Sequence, residues 1–173
     1  GLYYVRFTPF SFFEFTFRET LLKTQHSVKK TWNYYQQDRS STIRLRPLAE
    51  RSGKWWPSIV FGVNDLYSAY GNSFYAGYYG VVTKHFSLGS GQFALSAGYF
   101  HPFKAGKMYN GLFGGLEYRP TRQIPLQLMA DYDTKGVNLG LGYTLWGHLR
   151  TFAFTHQLKG WGVGLSYRTT IKF

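Results

Sequence analysis

The stretch Phe13–Arg18 reads Phe-Glu-Phe-Thr-Phe-Arg, so every second residue is aromatic and the residues between are polar or charged. Successive side chains of a β-strand point to opposite faces, and this stretch therefore predicts a strand with one apolar and one charged face. The same alternation recurs in Thr42–Glu50, Gly111–Arg119 and Leu126–Asp133. Because no segment shows a convincing helical period, the pattern predicts an all-β chain.

Eleven strands are predicted from this period and from the turn residues that separate them. They are Leu2–Thr8, Phe12–Leu22, Thr42–Glu50, Pro57–Asn64, Phe74–Phe86, Gln92–Phe100, Gly111–Arg119, Leu126–Asp133, Val137–Leu145, Leu149–Leu158 and Val163–Phe173. Most are close to the roughly 9 to 11 residues that a tilted strand needs to cross a bilayer, whereas soluble strands are usually shorter. The longest gaps, around residues 23–41 and 64–73, are predicted to be loops of one rim.

The composition limits the class of protein. The chain has 173 residues, of which 21% are aromatic, 44% hydrophobic and 16% charged, with a net charge of +12. No run of about 18 apolar residues is present, which excludes a helical membrane protein. There is no cysteine, which excludes disulfide frameworks, zinc fingers and cysteine nucleophiles. Without a linker or a break in composition, residues 1–173 are predicted to form a single domain.

Alternation alone does not decide whether the apolar face packs inward, as in a soluble sandwich, or faces lipid. The large number of aromatic residues near strand ends favours lipid, because membrane barrels carry aromatic girdles at both interfaces. These residues are Tyr3, Tyr4, Trp32, Trp55, Trp56, Tyr99, Trp146 and Trp161. Glycines at 140, 142 and 164 lie on the face opposite the apolar one, where they let a closed wall bend and leave room for inward side chains.

The end of the chain supports the same orientation. Its last predicted strand has outward positions that are mostly apolar and ends on an aromatic residue, which resembles the C-terminal signal by which outer-membrane barrels are recognised for insertion. The signal residues are Leu165, Tyr167, Ile171 and Phe173. A soluble all-β protein, such as a carbohydrate-binding sandwich, is the alternative.

Unpaired backbone groups are costly in hydrocarbon, so a sheet with an open edge is excluded there. The strands are therefore expected to close into a ring. Single-chain bacterial barrels have an even number of strands. We therefore expect a closed antiparallel up-and-down transmembrane β-barrel of about 12 strands, with ten as the alternative. The twelfth strand is expected upstream of Gly1, in a chain that begins inside the mature protein.

Inward charges of both signs form a predicted lumen network. Its members are Glu14, Arg18, Arg44, Arg46, Glu117, Arg119, Asp131, Asp133 and Arg168. One interpretation is a polar conduit or ligand site, with these residues gating it. The other is an ion-paired plug that braces the wall of a narrow lumen, since buried charges persist only when they are paired and hydrogen-bonded.

Neither catalysis nor a cofactor is expected. The five histidines lack metal-binding spacing, which predicts no metal site. His85 with Ser87, or His156 with Thr155, could nominally be base and nucleophile, but neither pair shows the required contact and no orienting carboxylate is evident. The basic loop residues are expected to meet outer-membrane lipid, lipopolysaccharide or an acidic polysaccharide rather than nucleic acid, or to be solvated rim charges.

Several stretches, in order along nearly the whole chain, resemble the YjbH-like outer-membrane family associated with exopolysaccharide production and export. They are Phe10–Arg18, Gln37–Arg46, Trp56–Asp65, Tyr79–Lys84, Gly114–Tyr118, Ala130–Asp133 and Val137–Leu141. The resemblance is to the short, single-barrel members. It implies that the protein lies in the cell outer membrane and takes part in exopolysaccharide production and export. It defines no catalytic or binding residue that could be transferred to this chain.

The sequence thus predicts a non-enzymatic outer-membrane barrel that acts as an accessory or conduit component in surface exopolysaccharide export. The alternative is a structural subunit of a larger outer-membrane complex for barrel assembly, protein secretion or nutrient uptake, with an inert lumen. Copurification with a larger barrel partner would distinguish the two.

Overall fold

A computed structural model describes residues 2–25, 32–51, 53–66, 76–103, 109–121 and 123–170; the side chains of residues 22–25 and 32–38 are excepted. Eleven β-strands are present in these residues. They are β1 (Leu2–Phe10), β2 (Phe13–Gln25), β3 (Trp32–Leu48), β4 (Ser58–Asn64), β5 (Gly77–Leu88), β6 (Gly91–Pro102), β7 (Gly111–Arg119), β8 (Leu126–Tyr132), β9 (Val137–Leu145), β10 (Leu149–His156) and β11 (Gly160–Tyr167). In this part of the chain, no helix is long and apolar enough to cross a membrane.

The strands form one antiparallel sheet in which each strand lies beside its neighbours in the chain. The predictions of an all-β fold and of an up-and-down order are therefore confirmed. The order starts at β1 and ends at β11, so among the described residues the sheet is not closed into a ring. The described residues contain eleven strands, the number that the alternation predicts directly.

The predicted loop at residues 23–41 is wrong. β2 continues to Gln25 and β3 begins at Trp32, with backbone pairing that extends to Thr24 opposite Asn33. This part of the sequence is polar and has no apolar alternation, which is why it was predicted as a loop. Ladder hydrogen bonds join backbone groups, so pairing continues past the point where the alternation ends. One register shift, between Leu22 and Lys23, lies in this extension.

The chain divides into two compact units. The first comprises Gly1–Ala49, Ser58–Gly80 and Phe100–Asn110. In it, the register sets Phe15 between Phe7 and Ile43, and Glu14 opposite Arg44. Aromatic and aliphatic residues therefore share one face of these strands, and charged residues share the other, as the stretch Phe13–Arg18 predicts.

The second unit comprises Glu50–Pro57, Val81–Tyr99 and Gly111–Phe173. Ala130 on β8 lies between Leu116 and Leu139, and the next position along, Met129, lies between Glu117 and Gly140. The same division into an apolar and a more polar face therefore holds here.

The apolar faces are exposed. In the described residues, few apolar side chains, among them Ala94 and Phe100, are buried, whereas Val5 on β1 is 69% exposed and Val163 on β11 is 71% exposed. A soluble β-sandwich would pack such residues between two sheets. Exposed apolar patches of this kind are typical of surfaces that contact protein or lipid.

Two glycines allow close packing on the polar faces. The ring of Tyr79 lies where a side chain at residue 62 would be, and the ring of Phe152 does the same at residue 164. Both glycines are inside strands, and each is covered by an aromatic ring from the neighbouring strand, an arrangement that compensates for the weak packing of strand glycine.

Candidate functional site

Glu14 is the centre of a charged cluster on the polar face of the first unit. One carboxylate oxygen, Oε1, accepts a hydrogen bond from Nη1 of Arg44 at 3.0 Å and lies 3.4 Å from Nε of Arg6. The Glu14 side chain is 18% exposed. Nε of Arg44 is buried and has no hydrogen-bond partner within the described residues. One carboxylate thus faces two guanidinium groups, and the cluster keeps a net positive charge.

Arg18 forms a second ion pair on the same face. Its Nη2 lies 3.3 Å from both carboxylate oxygens of Asp65, which is 5% exposed and directly follows β4. Asp65 has a left-handed backbone with φ 52°. This carboxylate was not predicted from the sequence, because 47 residues separate the partners and only the fold brings them together.

Arg46 lies apart from these two pairs. Its Nη2 donates to the backbone carbonyl of Ser11, in the turn between β1 and β2, and its side chain is exposed. Arg46 therefore ties a turn to β3, although the sequence places it in one network with Arg44.

Asp131 and Asp133 are held by an amide. Nδ2 of Asn138 donates to Oδ1 of Asp131 at 2.7 Å and to Oδ2 of Asp133 at 3.2 Å. Oδ1 of Asp133 also accepts the backbone N–H groups of Lys135 and Gly136, both at 3.0 Å. Partial burial would raise the pKa of Asp133, but these hydrogen bonds outweigh it and lower the pKa. Asp133 therefore stabilises the turn between β8 and β9.

The remaining members of the predicted network lie in the second unit. Glu117 and Arg119, both on β7, form an ion pair at 2.8 Å. Arg168 follows β11; its backbone N–H donates to the carbonyl of His148, and within the described residues its side chain makes no ion pair. The predicted residues are thus distributed over separate pairs and turns.

A further cluster, which the sequence did not predict, is centred on Glu50 between β3 and β4. Oε1 of Glu50 accepts a hydrogen bond from Nζ of Lys84 at 2.5 Å, and Oε2 lies 2.6 Å from Nδ1 of His85. The backbone N–H of His85 also donates to this carboxylate. Burial would raise the pKa of Glu50, but the hydrogen bonds from Lys84 and His85 outweigh it and lower the pKa to about 2. Glu50 is the one acidic residue between Asp38 and Asp65, and this position in the sequence could have identified it as the centre of a charged cluster.

The Glu50 cluster supplies the carboxylate partner that sequence analysis did not find for His85. Among the described residues, however, no hydroxyl group is hydrogen-bonded to His85, so a base is present without a nucleophile beside it. The other candidate, His156, has Nδ1 4.0 Å from Oδ2 of Asp133. No group of three or more histidine or acidic residues in the described ranges could hold a metal ion.

The predicted insertion signal lies partly on β11. Leu165 and Tyr167 are 68% and 70% exposed on its apolar face. Leu165 borders an open apolar depression of about 530 Å³ that includes Leu141 and Val163. Ile171 and Phe173 lie outside the described residues.

The comparisons with known proteins give one match. The model of a family described as "Exopolysaccharide biosynthesis protein YbjH" matches residues 1–172. No curated protein and no solved structure matches the chain. The match extends over almost the whole sequence and agrees with the resemblance noted from its motifs; the chain belongs to the YjbH family, which is related to exopolysaccharide.

Proposed function

We propose that this chain is a non-enzymatic, integral outer-membrane β-barrel that serves as an accessory or conduit component in the export of a surface exopolysaccharide. The observation that carries the proposal is the exposure of the apolar face in each unit, opposite a face that holds ion pairs. Exposed apolar area costs about 25 cal/mol per Å² in water. Lipid tails remove that cost without a second sheet.

The proposal includes closure into a ring. In hydrocarbon each unpaired backbone group costs several kcal/mol, so β1 and β11 need partners along their open edges. Strand directions alternate in an antiparallel meander, so its first and eleventh strands have the same direction, and an antiparallel ring needs an even number of strands. The proposed barrel therefore has about twelve strands, with one further strand between the two edges.

The ion pairs would then line the interior. The cluster of Arg6, Glu14 and Arg44 has more positive than negative charge. The description of the family names exopolysaccharide, which is the polymer that we take as the transported molecule. We assign these residues to bracing the wall and to attracting anions. On the outside, the exposed apolar face and the basic loop residues suit outer-membrane lipid and lipopolysaccharide.

The conduit is tested with the purified chain in planar lipid bilayers. We expect an ion current that favours anions, and we expect the double substitution of Arg44→Glu and Arg46→Glu to reverse or abolish that preference. Lys159→Glu is the control, because it changes a charge in the turn between β10 and β11 and not on the polar face of β3. An unchanged preference in the double variant contradicts a lumen role for these arginines.

The same preparation tests the alternative. A barrel that passes no current and copurifies in equal amount with a larger outer-membrane barrel would contradict the conduit and favour a structural subunit with an inert lumen. An altered lipid profile in a strain that lacks the protein would contradict the non-enzymatic role.

A further inference from the structure

The segment between β3 and β4 is fixed to β5 by the Glu50 cluster. Besides the hydrogen bonds from Lys84 and His85 to the Glu50 carboxylate, Nζ of Lys84 donates to the carbonyl of Lys54 at 2.8 Å. The N–H of Lys54 in turn donates to the carbonyl of Arg51. Both ends of the turn at Gly53 are therefore fixed, and a ligand that binds there would cost little further ordering of the chain.

This fixed segment presents an indole to the outside. Trp55 is 82% exposed, whereas its neighbour Trp56 is half-buried. The two rings meet edge to face with centroids 6.5 Å apart, and Nζ of Lys54 lies 5.9 Å from the centre of the Trp56 ring. The ring of Trp56 thus contacts Trp55 on one side and has an ammonium group close by. A large, exposed aromatic ring is typical of a contact surface.

The local charge is positive. The single carboxylate, Glu50, is already bound by Lys84 and His85, and its lowered pKa keeps it ionised. The cations Arg51, Lys54 and Lys84 lie in or beside the same segment, so these four side chains together have a net charge of about +2. The positive charge attracts an anion, and the flat face of an indole suits the C–H face of a pyranose ring.

We propose that Lys54, Trp55, Lys84 and the Glu50 carboxylate that holds them form a binding site for an anionic sugar unit, such as a uronate, of the polysaccharide. The ring of the sugar stacks on Trp55, and its carboxylate pairs with Lys54. The inference rests on the proposed function, because it takes the exported polysaccharide as the ligand. It adds that the bound sugar unit is anionic and that it contacts Trp55 and Lys54.

The test is fluorescence anisotropy of a labelled oligogalacturonate added to the full chain purified in detergent. We expect saturable binding that weakens with salt, and much weaker binding of a neutral malto-oligosaccharide of the same length. Trp55→Ala should weaken oligogalacturonate binding about tenfold, and Lys54→Gln should weaken it several-fold. Trp161→Ala is the matched control, since Trp161 is 83% exposed on β11, and it should leave binding unchanged.

The β-sheet circular dichroism of each variant is checked first, and Lys54→Gln serves alone if Trp55→Ala does not fold. Equal affinity in parent and variants, equal loss in Trp161→Ala, or no binding of oligogalacturonate overturns the proposal. The proposal is also overturned if the variants lose binding only to vesicles that contain lipopolysaccharide, because that result would assign the site to lipid headgroups. Because the ion current is measured separately, a current that persists while sugar binding fails contradicts this inference and not the proposed function.

Discussion

The carboxylate of Glu14 lies directly across the β2–β3 ladder from Arg44, with Oε1 3.0 Å from Nη1. Cross-strand pairs of opposite charge stabilise a sheet when they occupy facing positions on one side of it. Here the partly buried pair is joined by Arg6 from β1, so a single carboxylate connects three neighbouring strands.

This relationship predicts a measurable coupling. In a double-mutant cycle of Glu14→Gln and Arg44→Gln, we expect a coupling free energy of up to about 1 kcal/mol, measured by urea unfolding of the chain in detergent. The control cycle pairs Glu14→Gln with Arg46→Gln, because Arg46 donates to a backbone carbonyl instead. A control coupling as large as that of the first cycle would show that the Glu14–Arg44 contact contributes nothing specific.

Asn138→Ala should destabilise the turn between β8 and β9. It removes the amide that donates to Asp131 and Asp133 and accepts the N–H of Gln157 at 2.7 Å, so we expect a loss of about 1 to 3 kcal/mol in unfolding free energy. Gln123→Ala, which changes an exposed side chain outside the strands, is the control. Equal unfolding midpoints for the two variants would contradict the role given to Asn138.

The same turn predicts a pH dependence. The pKa of Asp133 is lowered in the folded chain, so its contribution to stability is complete above its ordinary value of 3.8. That contribution is lost as the pH falls through the lower folded value. Unfolding midpoints measured from pH 7 downward should therefore fall less steeply in Asp133→Asn than in the parent chain at acid pH. Parallel curves would contradict the assigned shift.

Glu50→Gln should free the segment between β3 and β4. Trypsin cleaves after exposed arginine and lysine in mobile segments, and we expect cleavage after Arg51 and Lys54 to accelerate several-fold in this variant. In the parent chain, acidification should do the same, because the pKa of Glu50 is lowered from 4.5 to about 2 and its contribution is lost as the pH falls through that range. At acid pH pepsin replaces trypsin, and because pepsin cleaves next to large apolar residues, the cleavage followed there is the one beside Trp55 and Trp56.

Glu117→Gln is the matched control for cleavage, since it removes an ion pair on β7 and leaves the Glu50 cluster intact. If both variants were cut at the parent rate after Arg51 and Lys54, the carboxylate of Glu50 would not be what fixes the segment.

Gly62→Ala should destabilise the first unit. A methyl group at residue 62 would occupy the space of the Tyr79 ring, and such overpacking costs about 1 to 3 kcal/mol. At Gly160 an added methyl group meets no atom within 4 Å, so Gly160→Ala should be close to neutral. Chemical unfolding in detergent compares the two. Equal effects would mean that the ring position does not determine the cost.

The sequence predicts the regular part of the fold well and the side-chain partners poorly. Strand β7 and strand β9 begin and end at the predicted residues, because alternation and turn residues are local signals. The extension of β2 and β3 was missed because Gln36, Gln37 and Asp38 lack the apolar alternation, although their backbone pairs. In this extension the backbone pairs although the side chains show no alternating pattern.

Contacts between residues distant in sequence depend on how the strands are aligned with one another. This register cannot be read from a single sequence. Arg18 with Asp65 and Glu50 with Lys84 are both of this kind. Glu14 with Arg44 was grouped by charge and face alone, and only the structure shows the contact. Asp133 was grouped with the lumen charges because it ends the predicted alternating strand Leu126–Asp133, whereas β8 ends at Tyr132 and the neighbours of Asp133 in the turn determine its hydrogen bonds.

The account depends on the apolar face of each strand touching lipid, and the chain suits a direct test because it contains no cysteine. Single cysteines at Phe15, Thr16 and Phe17 on β2 are labelled with a fluorophore in reconstituted vesicles, and quenching by a lipid-attached nitroxide is measured. We predict strong quenching at 15 and 17 and weak quenching at 16. Uniform quenching, or a stronger effect at 16, would contradict the account.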